Sequence, residues 1–178
     1  MEELEDPTER LKETMEAAEE KKEQWTLHVA LSTAIIAVLA AIAGLLGNHH
    51  ANEAMLDQIK SSDQWAFYQS KSIKAEINAS TAQILEVLGK PLPPENAQKA
   101  KQYEDDKAEI KKKADEAEQS SEAHMRQHVV FSRSVTIFQI AIAISAIAIL
   151  TRKKLMWYIS MLLSVAGSVF LIMGFLTT

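Results

Sequence analysis

Four histidines are the side chains in this 178-residue chain best suited to hold a metal ion. His49 and His50 are adjacent, and His124 and His128 stand one helical turn apart on one face. Imidazoles four apart on a helix, joined by others across a packing face, ligate zinc, copper or iron. Asn52, Glu53 and Glu122 stand close to them in sequence. The competing reading is that these histidines make polar contacts at a helix seam. No Glu-x-x-His spacing of the di-iron bundles accompanies them. The chain has no Cys, which excludes a disulfide framework, a thiolate metal site and a cysteine nucleophile. No phosphate-binding loop, nucleophile elbow or acid–base pair in a recognisable setting occurs. The expectation is therefore a non-enzymatic protein with no organic cofactor, whose one candidate ligand is a transition metal.

A second group is aromatic. Trp65, Phe67 and Tyr68 stand with Asp63 and Lys71. Trp65 and Phe67 cannot share one helix face, so at least one ring lies off a two-helix seam. Such rings mark contact surfaces for another subunit; the alternative is packing against Tyr103. A third group is a row of small hydroxyl residues, Ser160, Ser164 and Ser168, with Ala40 and Gly44, and Ala141 and Ser145, at the same four-residue spacing. Rows like these let helices approach closely in lipid. The three serines are therefore candidate contacts between spans or between copies.

The elements that must position these residues are legible in the hydropathy. Apolar residues fall in three blocks, 27–47, 129–150 and 155–176, with polar sequence between. Each block is long enough to cross a hydrocarbon core roughly 30 Å thick as a helix. The centres of the spans carry no ionisable group, and Arg133 sits near the start of the second, where it can snorkel. The missing intramembrane charges, with no inverted repeat, argue against an ion-coupled transporter. An oligomeric pore lined by Ser and Thr is a remaining alternative.

Residues 48–128 hold one break, Gly89-Lys90-Pro91-Leu92-Pro93-Pro94. Gly ends a helix and the prolines prevent its continuation. The flanking arms are nearly equal in length, which predicts an antiparallel helical hairpin roughly 50–60 Å long. The three-four repeat places Met55, Ile59, Ser62, Ala66, Ser70, Ile73, Ile77, Ser80, Ile84 and Val87 on the seam of the first arm. The second arm offers Ala100, Tyr103, Lys107, Ile110, Ala114, Ala117, Ser121, His124 and His128.

Residues 1–25 read as an acidic amphipathic helix opening at Asp6-Pro7-Thr8-Glu9, with Leu11, Met15, Ala18 and Trp25 at helical spacing. They are not a signal peptide, which would begin with a basic segment. Four bases against ten acids in the first 24 residues argue against nucleic acid and anionic membrane surfaces as partners. The basic loop 151–154 (Thr151-Arg152-Lys153-Lys154), with Lys21 and Lys22, favours a cytoplasmic N-terminus and an external hairpin.

The chain also resembles a bacterial membrane family, the domain of unknown function 4337 family. The resemblance lies in Gly47-Asn48-His49-His50-Ala51-Asn52-Glu53-Ala54, and in Ser62-Asp63-Gln64-Trp65-Ala66-Phe67-Tyr68-Gln69-Ser70-Lys71-Ser72-Ile73-Lys74. It continues in Phe138-Gln139-Ile140-Ala141-Ile142-Ala143 and Leu150-Thr151-Arg152-Lys153-Lys154. It implies a bacterial inner-membrane protein of this architecture and brings no catalytic residues with it.

The sequence thus predicts an all-α integral membrane protein. Three transmembrane helices (26–47, 129–150 and 155–176) carry a long antiparallel coiled-coil-like hairpin (48–128, turn at 89–95) between the first two. Its expected partners are membrane lipid and further copies of itself, in a homo-oligomer acting as a scaffold or accessory component. A juxtamembrane histidine metal-binding or sensing module is the alternative of another class.

Overall fold

A computed structural model describes residues 7–177; within 7–22 only the side chains of Met15, Glu16 and Glu19 are described. The Asp6 cap, Leu11 and Ala18 of the expected N-terminal helix lie outside the described residues and side chains. Every regular element among the described residues is an α-helix: α1, Pro7–Val87; α2, Pro94–Thr151; and α3, Lys154–Leu176. All three are long and apolar enough to cross a membrane. The chain divides into two compact units. One comprises Met1–Gly47 and Val129–Thr177, the other Asn48–His128.

The turn between α1 and α2 follows from its glycine and prolines. Gly89 takes a left-handed φ of 64°. Its N–H donates to the Glu86 carbonyl at 3.0 Å, and the Lys90 N–H donates to the Leu85 carbonyl at 2.9 Å. This Schellman arrangement satisfies carbonyls that the helix end would otherwise leave open. Pro94 then opens α2, where its missing N–H costs nothing. Between α2 and α3 only Arg152 and Lys153 are non-helical. Arg152 adopts φ 54°, an unusual conformation for a side-chain-bearing residue and one that so tight a reversal demands.

In the first unit, two phenylalanines of α2 fill two notches of α3. Phe131 and Phe138 are fully buried. A Cβ placed on Gly167 would stand 2.8 Å from the Phe138 ring, and one on Gly174 would stand 2.5 Å from the Phe131 ring. Both pairs are seven residues apart, two helical turns, so ring and notch recur in register. Between them the Ser134 hydroxyl donates to the Gly167 carbonyl, and the Ser160 hydroxyl to the Ala141 carbonyl, both at 2.8 Å. Thr33 of α1 donates to Ser145 at 2.7 Å, and the Trp157 indole N–H to Ser32 at 3.1 Å. Ile36, Ala43, Phe138 and Ala141 form the apolar centre. The interior is therefore small, aromatic and hydroxylic. Leu31, Ile35, Val38, Leu162, Val165 and Ile172 point outward.

In the second unit, residues 48–87 of α1 and 94–128 of α2 pair as two arms. Ser121 contacts Ala54, Ser120 contacts Asp57, Asp106 contacts Lys71, and the Asn96 carbonyl contacts Asn78. As the number rises on α1 it falls on α2. The second-arm seam contains the expected Tyr103, Lys107, Ile110, Ala114, Ala117, Ser121, His124 and His128, all buried or half-buried. The first-arm seam differs from the expected one. It runs through His50, Ala54, Asp57, Ser61, Gln64, Tyr68, Lys71, Ala75, Asn78 and Ala82. The stripe from Met55 to Val87 is turned outward instead; Ile73, Ile77 and Ile84 are each 60–61% exposed. Two three-four repeats lie side by side on α1. The polar one wins this partner because Ser120, Ser121 and Asp106 of α2 satisfy its polar side chains.

The ring-in-notch packing makes a discriminating prediction. Gly167→Ala should cost about 1–3 kcal/mol, the usual penalty of overpacking, because the Phe138 ring must move. Gly44→Ala, whose Cβ would meet only Val135 at 3.9 Å, should be near neutral. Thermal unfolding in detergent followed by circular dichroism compares them; equal midpoints would contradict the packing described.

Candidate functional site

The structure brings His50 and His124 together. Their Nδ1 atoms are 3.1 Å apart and their rings stack at 5.3 Å between centroids, inclined by 29°. His49 is exposed; its ring lies 5.4 Å from that of His50, tilted 60°. His128, one turn beyond His124, is half-buried, as is Glu53, one turn beyond His50. Burial is the first cause that holds His50 below the usual histidine range. The charges of His124, His49 and His128 act in the same direction, and Glu53 opposes them. All four groups therefore lie within electrostatic reach of His50. Among the described residues, no three His, Asp or Glu side chains converge on one point. The expected set of four is thus resolved into one close pair, His50 and His124, with His49 and His128 beside it.

Two hydroxyls fix the arms just beyond this pair. Ser121, one turn before His124, donates to the Ala54 carbonyl at 2.8 Å. Ser120 donates to Asp57 Oδ2 at 2.6 Å, while Lys60 donates to Asp57 Oδ1 at 2.7 Å. Asp57 is buried. The hydrogen bond from Lys60, then that from Ser120, holds its carboxyl below the usual carboxylate range against the opposing effect of burial. Sequence reasoning missed this lock. Its signal was an Asp four residues after Glu53 on the polar stripe, facing a Ser-Ser pair on the other arm.

The aromatic group divides. Trp65 and Tyr68 are half-buried and meet edge to face at 5.5 Å. The Lys107 ammonium stands 5.8 Å from the Tyr68 ring centroid, and that of Lys71 stands 5.7 Å from Tyr103. Lys71 also pairs with Asp106 at 2.6 Å. These are contacts within the arms, where cation and ring attract. Phe67 is the exposed ring of the group and borders a cavity of about 290 Å³ with Gln64, Lys71, Asp106 and Lys113.

The serines of α3 also divide. Ser160 is buried and bonded to α2. Ser164 and Ser168 are half-buried and donate to carbonyls of their own helix, those of Met161 and Ser164. The buried row of α3 is Ser160, Gly167 and Gly174, a seven-residue spacing that a search for four-residue rows does not find.

The family model described as Domain of unknown function (DUF4337) matches residues 25–177, and the chain belongs to that family. No curated protein and no solved structure matches the chain.

The Asp57 lock has a pH signature. A carboxyl held below its ordinary value in the folded chain adds stability above the unfolded value, and that stability is lost as pH falls. Asp57→Asn should therefore lower the thermal midpoint at pH 7. It should also flatten the loss of stability between about pH 5 and pH 3. A variant as acid-sensitive as the parent would show that Asp57 is not the group responsible.

Proposed function

We propose that this member of the DUF4337 family is a non-enzymatic integral membrane protein that self-associates, acting as a scaffold or accessory component. The three-helix unit spans the bilayer. The arms form an antiparallel coiled-coil-like hairpin outside it, with the N-terminus cytoplasmic and the hairpin on the periplasmic side of a bacterial inner membrane. Two kinds of exposed apolar surface support this reading. Around the three-helix unit, the outward Leu, Ile and Val residues suit contact with lipid, which needs no polar partner from them. In the charge-rich arms the same argument fails, because an apolar stripe there would face water.

That stripe carries the proposal of self-association. Met55, Ile59, Ile73, Ile77, Ile84 and Val87 recur at coiled-coil spacing on α1, and each is more than half exposed. A second copy held in the same membrane presents the same stripe in the same direction, so two such faces meet like to like across a two-fold axis. The flanking residues Gln58, Asp63, Gln69, Lys74 and Glu76 bring no charge opposite its own sign in that parallel pairing. The hydroxyls of Ser164 and Ser168, which a pore would need along its lining, are occupied by their own helix carbonyls. No specific observation favours the pore.

The test is the assembled mass. Ile73→Glu with Ile77→Glu places charge on the stripe and leaves the buried seam untouched. Native mass spectrometry from detergent should show a discrete multimer of the 19.8 kDa chain for the parent and smaller species for the variant. The same multimer in both would contradict the reading.

A further inference from the structure

We propose that His50 and His124 are the first two ligands of a divalent transition-metal site completed by His128 and Glu53. The separation of the pair is the starting point. Two nitrogens bound tetrahedrally to an ion at about 2.0–2.1 Å stand roughly 3.3 Å apart. The two Nδ1 atoms here are 3.1 Å apart and come from different helices. An ion between them therefore requires only a few tenths of an ångström of movement.

The two further ligands come from helical spacing. Glu53 follows His50 by three residues and His128 follows His124 by four, so each lies on the face of its helix that carries the pair. Both are half-buried at the same level. They turn inward when the ion arrives. His49 is excluded, because it is adjacent to His50, about 100° around the helix, and exposed.

The backbone of the site is already set. The bonds from Ser121 to Ala54 and from Ser120 to Asp57 hold the arms close within one or two turns of the pair. An ion at this level would join α1 to α2 a second time, where the seam buries little apolar surface. Three imidazoles and one carboxylate make a borderline donor set without sulfur. Zinc, copper(II) and nickel(II) fit it; copper(I), calcium and magnesium do not.

The test uses the full chain in detergent, freed of metal by a chelator and titrated with zinc, copper(II) or nickel(II) alone. Binding is read by calorimetry and by metal content per chain, so it is independent of how many chains assemble. The expected result is one ion per chain. His50→Gln and His124→Gln, which keep a polar group on the seam, should each weaken binding at least about 100-fold, at or beyond the upper end of a supporting-residue effect. His49→Gln should bind like the parent. No saturable binding of any of the three ions would overturn the proposal, as would binding that survives both substitutions or depends on His49. Electron paramagnetic resonance of the copper(II)-loaded parent checks the ligands without a variant. Coupling to three nitrogens is expected, and an all-oxygen spectrum would also overturn the site.

Discussion

Three hydroxyl-to-carbonyl bonds between helices hold this structure in its close-packed form. Ser134 donates to Gly167, Ser160 to Ala141 and Ser121 to Ala54, each at 2.8 Å. A short serine side chain reaches the carbonyl of a neighbouring helix only if the two backbones approach closely. That approach requires small residues at the contact, and the sequence provides Gly167, Gly174, Ala54, Ala114 and Ala141. Each hydroxyl is satisfied, so its burial costs little. The same device serves a unit suited to lipid and a unit rich in charge. In hydrocarbon it replaces the hydrophobic drive that helices there lack.

Filling the contacts with small residues has a consequence for the large ones. Leu, Ile and Val are displaced to the outer faces of both units. On the three-helix unit this gives an apolar exterior around a core of Ser, Ala, Gly and Phe, the reverse of a soluble bundle. On α1 it gives a second coiled-coil stripe beside the one already used. The exposed isoleucines and the thin polar seam are two sides of one choice of pairing. A seam of Asp57, Ser61, Gln64 and Lys71 specifies its partner by polar matching while burying little area, which leaves stability to be gained from further contacts.

Much of this was legible in the sequence. The helices, the turn at Gly89 and the candidate spans follow from hydropathy, glycine and proline, signals that local physics reads directly. The second-arm seam followed from periodicity alone. The first-arm seam did not, because α1 carries two stripes at the same spacing. An apolar stripe looks like the buried one until the partner's side chains are known. Asp57 is buried only because Ser120 stands opposite it. Likewise, Phe131 and Phe138 are notable only against Gly174 and Gly167, two turns apart on another helix. Of the four histidines, spacing linked His124 with His128; the arms' register decided that His50 and not His49 meets His124.

The central claim is that the stripe on α1 is an interface between copies. The chain's lack of cysteine allows a direct measurement. Ile77→Cys places one thiol on the stripe, and Glu118→Cys places one on an exposed face of α2. Under mild oxidation in native membranes, Ile77→Cys should form a covalent dimer rapidly while Glu118→Cys stays largely monomeric. Equal crosslinking at both positions, or none at Ile77→Cys, would contradict the account.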